Sequence, residues 1–437
     1  MQLKPLYIAL TLAMAPAAQA ANLSDVFRDA QAYDAQYAAA RAAYEAGQEI
    51  AVQGRAGLLP SVNLAGNVYY QNISGQIIES NDFDSSQVAI NASQPLFRKQ
   101  NWVHYQQSKE QTKIVGIQFR AAEQDLILRV AQAYFDVLQS QDNIAFINAQ
   151  KAAITEQLAS AKRNFEVGTA TIIDTNEAQA RYDLAVAQEI GEQNTLNIRL
   201  RALEKITGKP AGSLDALVEA PKLKDEPGSI DEWAARAADA NLQAEIQRIA
   251  KTIADQQVEF NRAGHYPTLD AVASYSINNN QPIGAVPIDT QSGAIGLELN
   301  LPIYQGGLTS SQVRQAVANQ EKARQEVEAA AREAGQQARQ AWLNVNSGVA
   351  RIKALEQALT SIKAQLDSTK LGMEVGVRTI LDVLNAEQQV LSARRDLASA
   401  RYSYLLSGLS LKAAVGSLSP ADLTGIDQHL RPTVAAK

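Results

Sequence analysis

The chain is written twice. Arg55-Ala56-Gly57-Leu58-Leu59-Pro60 recurs as Arg262-Ala263-Gly264-His265-Tyr266-Pro267, and Gln94-Pro95-Leu96-Phe97 recurs as Leu301-Pro302-Ile303-Tyr304, an offset of about 207 positions. Further along the offset grows by one residue: Gln132-Ala133-Tyr134 answers Gln340-Ala341-Trp342, Val167-Gly168 answers Val375-Gly376, and Gly208 answers Gly416. Two like halves of this size predict one composite body that encloses something, in preference to two independent domains.

Each half carries a strand signature between helical ones. Val62, Leu64, Gly66, Val68 and Tyr70 alternate with Asn63, Ala65, Asn67, Tyr69 and Gln71, which is the period of a strand with one apolar face. A polar loop, Asn72 to Ser85, leads to a second strand around Val88, Ile90 and Ala92. The second half repeats the pattern with a strand near Leu269 to Ile277, an Asn/Pro/Gly-rich loop, and Ile295, Leu297, Leu299 and Leu301 alternating with Gly296, Glu298 and Asn300. A hairpin on a soluble domain shows the same alternation. Strand lengths near those of barrel strands, and aromatic residues at or near the ends (Tyr69, Tyr70, Phe97, Tyr275, Tyr304), point instead to a lipid-facing band. Four strands cannot close a membrane barrel, for which about eight is the minimum, so several chains must contribute, and three would supply about twelve.

The remaining sequence reads as helix. Val26, Ala30, Tyr33, Tyr37, Ala40 and Tyr44 form a heptad-like seam in a helix over 24–58, with Ser24 as a candidate N-cap. Residues 104–166 and 308–374 read as uninterrupted helices, each about 95–100 Å long at about 1.5 Å per residue. Helices over 174–207 and 382–415 return from their far ends. Together with 24–58 and about 231–263, they cover the same length when stacked end to end.

Several function classes fall away. There is no cysteine, so disulfides, thiolate metal sites, cysteine nucleophiles and a lipid anchor on an N-terminal cysteine are excluded. The net charge of -6 is unclustered and gives no reason to expect nucleic acid. His104, His265 and His429 lack metal-ligand spacing, and no phosphate loop or catalytic triad pattern is present, so neither an enzyme nor a cofactor is expected. Lys4, an apolar run from Leu6 to Met14 and the ending Ala18-Gln19-Ala20 read as a secretory signal peptide cleaved before Ala21.

The doubled proline strand entries at Pro60 and Pro267, the paired strand exits, and the tips Phe165-Glu166-Val167-Gly168 and Glu374-Val375-Gly376-Val377-Arg378-Thr379-Ile380-Leu381-Asp382 occur in one order in both halves. In this the chain resembles the TolC family of trimeric outer-membrane channel-tunnels, over essentially the whole mature length. The resemblance implies a mainly α fold with a small membrane β-barrel contribution. A two-repeat protomer supplies four strands to a trimeric 12-stranded β-barrel, and its long coiled-coil helices form an α-barrel across the periplasm. The implied domains are a signal peptide, 1–20; a first repeat, 21–207, with hairpin 61–96 and long helix 104–166; an equatorial connector, 208–230; a second repeat, 231–416, with hairpin 268–303 and long helix 308–374; and a tail, 417–437. The implied function is an exit duct for type I protein secretion, efflux or both. Its implied partners are outer-membrane lipid, a periplasmic adaptor (membrane fusion protein) and an inner-membrane ABC or RND transporter. Alternatives are a multidrug efflux duct paired with an RND pump and a periplasmic coiled-coil adaptor, against which the two amphipathic hairpins argue.

The tips hold the candidate functional residues. Gly168 and Gly376 are placed to end helices, and Asp174 and Asp382 to cap the returning ones. The resemblance implies further roles. Asp382 would form a constriction ring of carboxylates in a trimer, weakened at the next turn because Asn385 stands where the family often has an acid. Arg378 would latch the closed tip to Asp174, with Met373 at a position often occupied by tyrosine. Val167, Gly168, Thr169, Thr171, Val375, Gly376, Val377 and Thr379 would dock the adaptor.

Overall fold

The computed structural model describes residues 21–75, 78–169, 171–218, 228–283 and 286–431. The proposed signal peptide lies outside the described residues, as do parts of the connector and tail. In chain order the elements are α1 (Leu23–Tyr33), α2 (Ala35–Ala56), β1 (Ser61–Gly75), β2 (Ile78–Phe97), α3 (Lys99–Glu166), α4 (Ile172–Thr207), β3 (Ala216–Leu217), α5 (Ile230–Ala240), α6 (Leu242–Arg262), β4 (Thr268–Ile283), β5 (Val286–Asn300), α7 (Leu308–Glu374), α8 (Ile380–Ala414), α9 (Pro420–Asp427) and β6 (Leu430–Arg431). They divide into two units that each draw on both sequence repeats. The first holds 1–39, 122–237 and 335–437; the second holds 40–121 and 238–334.

In the second unit both hairpins join one antiparallel sheet of order β1-β2-β4-β5. Its register explains the alternation. Leu64 faces Ile90, Ile90 faces Tyr275 and Tyr275 faces Gly293, while Val62, Ala92, Ala273 and Ile295 form the adjoining row. Rows of the opposite parity are polar or small: Asn67, Gln87, Asn278 and Thr290 align, as do Ala65, Ala89, Ser276 and Ser292. The apolar rows stand bare, with Val68 77% and Ile295 90% exposed. The strands run on well beyond the apolar band, at 15, 20, 16 and 15 residues. Most of the expected 72–85 loop is therefore strand. The ladder continues there through pairs without an apolar alternation, Gln71 with Phe83 and Asn72 with Asp82, so the hairpin arms need no apolar face to persist.

Beneath this sheet glycine sets how closely the helices approach. A Cβ on Gly47 would fall 2.4 Å from Val115 Cγ1, and one on Gly54 would fall 2.2 Å from Ser108 Oγ, so α2 lies against α3 at a separation only glycine permits. Tyr44 stacks on Phe119 nearby at 5.2 Å. Arg98, between β2 and α3, donates from Nε to Asp270 Oδ1 at 2.7 Å and fastens the strand exit to β4.

The first unit packs around Tyr134, Phe135, Leu126, Ile127, Val130 and Val137 of α3, with Leu203, Val345, Ile352, Leu411 and Leu423. Phe135 stacks on Tyr402, whose hydroxyl donates to Asp142 Oδ2 at 2.7 Å.

The two-piece helices are in fact broken once more. The helix expected over 24–58 stops at Asp34, and its counterpart stops at Asn241, the equivalent position in the second repeat. Asp34 Oδ1 accepts from Tyr37 N at 2.8 Å and restarts the chain as α2. Asn241 Oδ1 accepts from Gln243 N and Ala244 N at 2.9 and 3.2 Å. The Arg129 guanidinium fixes the first break at 2.9 Å and holds the Asp34 carboxyl below the usual carboxylate range. At the start of α1 the cap is Asn22, which accepts from Asp25 N, whereas Ser24 turns to Asp427.

Candidate functional site at the helical tips

Both tips lie in the first unit and are built alike. At the end of α3, Gly168 takes φ +76°, its N–H donates to Phe165 O at 3.0 Å, and Thr169 N donates to Asn164 O at 2.8 Å. At the end of α7, Gly376 takes φ +81°, its N–H reaches Met373 O at 3.0 Å, and Val377 N reaches Gly372 O at 2.9 Å. These paired bonds satisfy carbonyls that a helix end leaves open, and the left-handed residue that permits them is glycine in both repeats.

The returning helices open on reciprocal caps. Thr171 Oγ1 accepts from Asp174 N at 3.3 Å while Asp174 Oδ2 accepts from Thr171 N at 2.9 Å. Thr379 and Asp382 repeat this at 3.3 and 2.9 Å. A carboxylate that accepts a backbone N–H favours its ionised form. The Thr171 backbone and hydroxyl bonds therefore hold Asp174 below its ordinary pKa, and the Thr379 bonds do the same for Asp382, with the positive charge of Arg378 adding to the effect. Thr171 and Thr379, expected only as docking residues, are thus also the caps. The signal was the repeated Thr-x-x-Asp spacing.

Arg378 folds back over its own tip, so that a Cβ on Gly372 would meet Arg378 Cγ at 2.8 Å. Among the described residues of one chain it forms no ion pair with Asp174. Asn385 is exposed, and its Oδ1 accepts from Arg181 Nη2 of α4 at 3.0 Å. Arg181 also approaches Glu177 at 3.5 Å, so it holds the α4 acid and the α8 amide at once. Two residues on, Glu387 of α8 pairs with Lys370 of α7 at 2.9 Å and accepts from Gln157 of α3 at 3.4 Å. An apolar contact of Ile154, Ala185 and Leu384 joins α3, α4 and α8 beside these links. Sequence reasoning missed Arg181, Lys370 and Glu387, because each acts on a helix from elsewhere in the chain.

The outermost residues are apolar and uncovered: Val167, Ile173, Val375 and Val377 are all about two-thirds exposed or more. Among the described residues no cluster could hold a metal, and no helix is long and apolar enough to cross a membrane. The tips thus combine stiff, capped helix ends with a bare apolar rim.

A family model described as outer membrane efflux protein matches residues 26–209 and 232–417, one match for each repeat. The chain belongs to the outer membrane efflux protein family. Within it, the chain is 34% identical to the outer membrane protein TolC of Vibrio cholerae, over 98% of this chain and 99% of that one. It is 32% identical to the alkaline protease secretion protein AprF of Pseudomonas aeruginosa, over 96% of this chain and 89% of that one. A crystal structure of CusC shares the fold at a TM-score of 0.78 and 16% identity, covering 90% of this chain and 92% of that chain. The fold is that of the TolC-like channels, mainly helical with a small sheet, and the protein is an outer-membrane channel of the efflux and secretion class.

Proposed function

We propose that three copies of the chain assemble into one duct, their sheets closing a twelve-stranded barrel in outer-membrane lipid and their tips docking a periplasmic adaptor that couples the duct to an inner-membrane transporter. One observation carries this reading. The sheet has an uncovered apolar face, and its outer strands β1 and β5 each keep an unpaired edge. A bare edge beside a bare apolar face is stable only when another sheet continues it and lipid covers it. In this reading residues 1–20 are removed, 21–207 and 231–416 are the two repeats, 208–230 wraps the equator and 417–437 is the tail.

The duct carries its cargo without covalent chemistry or a cofactor. Asp382, as a ring of three carboxylates with Asn385 one turn on, narrows the periplasmic end and favours cations. Arg378 latches the closed tip against Asp174, while Arg181–Asn385 and Gln157–Glu387 tie the two coils within each chain. An exposed ion pair alone contributes little. Opening therefore requires the adaptor to compete with several such links at once, and the rim of Val167, Gly168, Thr169, Thr171, Val375, Gly376, Val377 and Thr379 is where it does so.

Type I protein secretion through an ABC transporter is favoured by relatives named for protease secretion, AprF and PrtF, each 32% identical over more than nine-tenths of this chain. Efflux with an RND pump is the second reading, favoured by the description of the family itself. Crosslinking in membranes followed by copurification separates them: an adaptor recovered with an ABC transporter supports secretion, and one recovered with an RND pump supports efflux. Recovery of neither from crosslinked tips would overturn the docking assignment.

A further inference from the structure

Among its described residues, the first unit contains a buried carboxylate without a counter-charge. Asp215 is 8% exposed, and its Oδ1 has no hydrogen-bond partner among the described residues. Burial raises its pKa, and the charges acting on it among the described residues, Asp427 of α9 and Asp25 of α1, are both negative and add to the shift. The neighbouring groups are already committed. Asp427 accepts from Leu23 N at 2.9 Å and from Ser24, and Asp25 pairs with Arg28 at 3.1 Å. From α3, Tyr134 brings its hydroxyl to Asp215 O at 2.8 Å and to Ala21 O at 3.1 Å. His429 meets the following strand through its carbonyl, at Val218 N. A buried, unpaired carboxylate is strongly unfavourable and is relieved by a proton or by a cation.

The backbone that runs beside this segment is Ala21, in a short parallel bridge with Leu214: its N–H donates to Ser213 O at 2.9 Å, and its carbonyl accepts from Asp215 N at 3.1 Å. Ala21 is also the residue before which the sequence reading places signal-peptide cleavage. We propose that the α-ammonium created by that cleavage is the missing counter-ion: removal of the leader installs a positive charge among Asp215, Asp25 and Asp427 and completes the equatorial core. The step is a hydrolysis. Water breaks the Ala20–Ala21 amide, Ala20 leaves as a carboxylate, and the Ala21 nitrogen keeps one hydrogen and gains two, as –NH3+. One N–H continues to serve Ser213 O, and the other two become available to the carboxylates. Maturation and folding are thereby coupled: the same residues repel one another in the unprocessed chain and attract the amine in the processed one.

The proposal rests on cleavage before Ala21, which intact-mass measurement of protein purified from the outer membrane tests first. Another starting residue would overturn it. On the purified protein, the pH dependence of α-amine acylation by limiting acetic anhydride, read by mass spectrometry of the N-terminal peptide, should give a pKa at least about one unit above the ordinary 7.7–8.0. D215N should return it towards that range. Because a group raised in the folded state stabilises below its unfolded pKa, the gain should be complete below about pH 8 and lost as pH rises through the folded value. A protein with two residues inserted between the cleavage site and Ala21 displaces the amine. It should melt several degrees lower than wild type at pH 7, and D215N should remove most of that difference. Should D215N fail to fold, the comparison of inserted and wild-type chains still decides. An ordinary amine pKa in wild type, or melting that follows calcium and chelator instead of the position of the amine, would overturn the assignment.

Discussion

At the scale of single residues, the tips are governed by local caps whose chemistry is legible in four-residue stretches. Replacing Thr171 with alanine removes the hydroxyl that donates to the Asp174 carboxylate and accepts from Asp174 N, and leaves the carboxylate only the backbone N–H of residue 171. It should cost about 1 kcal/mol of local helix stability, read as faster amide exchange confined to the first turn of α4. Asp174 and Asp382 titrate below their unfolded values, so their contribution is complete above about pH 4 and lost as pH falls through the folded values. Amide protection factors at both tips should therefore fall together in acid. In bilayers, R378S should raise single-channel conductance if Arg378 holds the tip shut, and unchanged conductance would remove it from the latch. N385D places an acid one turn from Asp382 and gives Arg181 a second ionic partner beside Glu177, so block by multivalent cations should strengthen. The caps could be read in the sequence because Thr-x-x-Asp is self-contained. Arg181 could not, since its partner Asn385 lies 204 residues away and nothing local distinguishes this arginine from any other on a solvated helix.

At the scale of elements, periodicity revealed the helices and strands but not their interruptions. The seam from Val26 to Tyr44 passes through Asp34 unbroken, because aspartate is compatible with a helix until a partner such as Arg129 draws it into a cap. The break was nevertheless signalled twice, since Asp34 and Asn241 are both good N-cap residues in matching places of the repeats. The strands were underestimated for the complementary reason. Alternation marks only the apolar band, whereas the ladder continues through polar pairs that show no period. Between α2 and α3, substitution of Gly47 by alanine places a methyl group inside Val115. It should destabilise the protein by about 1–3 kcal/mol, measured as a lower denaturant midpoint, while Gly191, with no neighbour near its Cβ position, should accept alanine without loss.

At the scale of the whole molecule, the duplication was the dominant signal, and it told what one chain lacks: a sheet with two open edges and a bare apolar face cannot be the finished object. Residues such as Leu64, Ile90 and Ile295 made that face visible in sequence, but the order β1-β2-β4-β5, which leaves β1 and β5 to meet other copies, required the structure. The mass of the detergent-extracted protein tests the central claim most directly. It should correspond to three chains that stay together after a high-salt wash of the outer membrane; a folded single chain that remains in water without detergent would contradict the account.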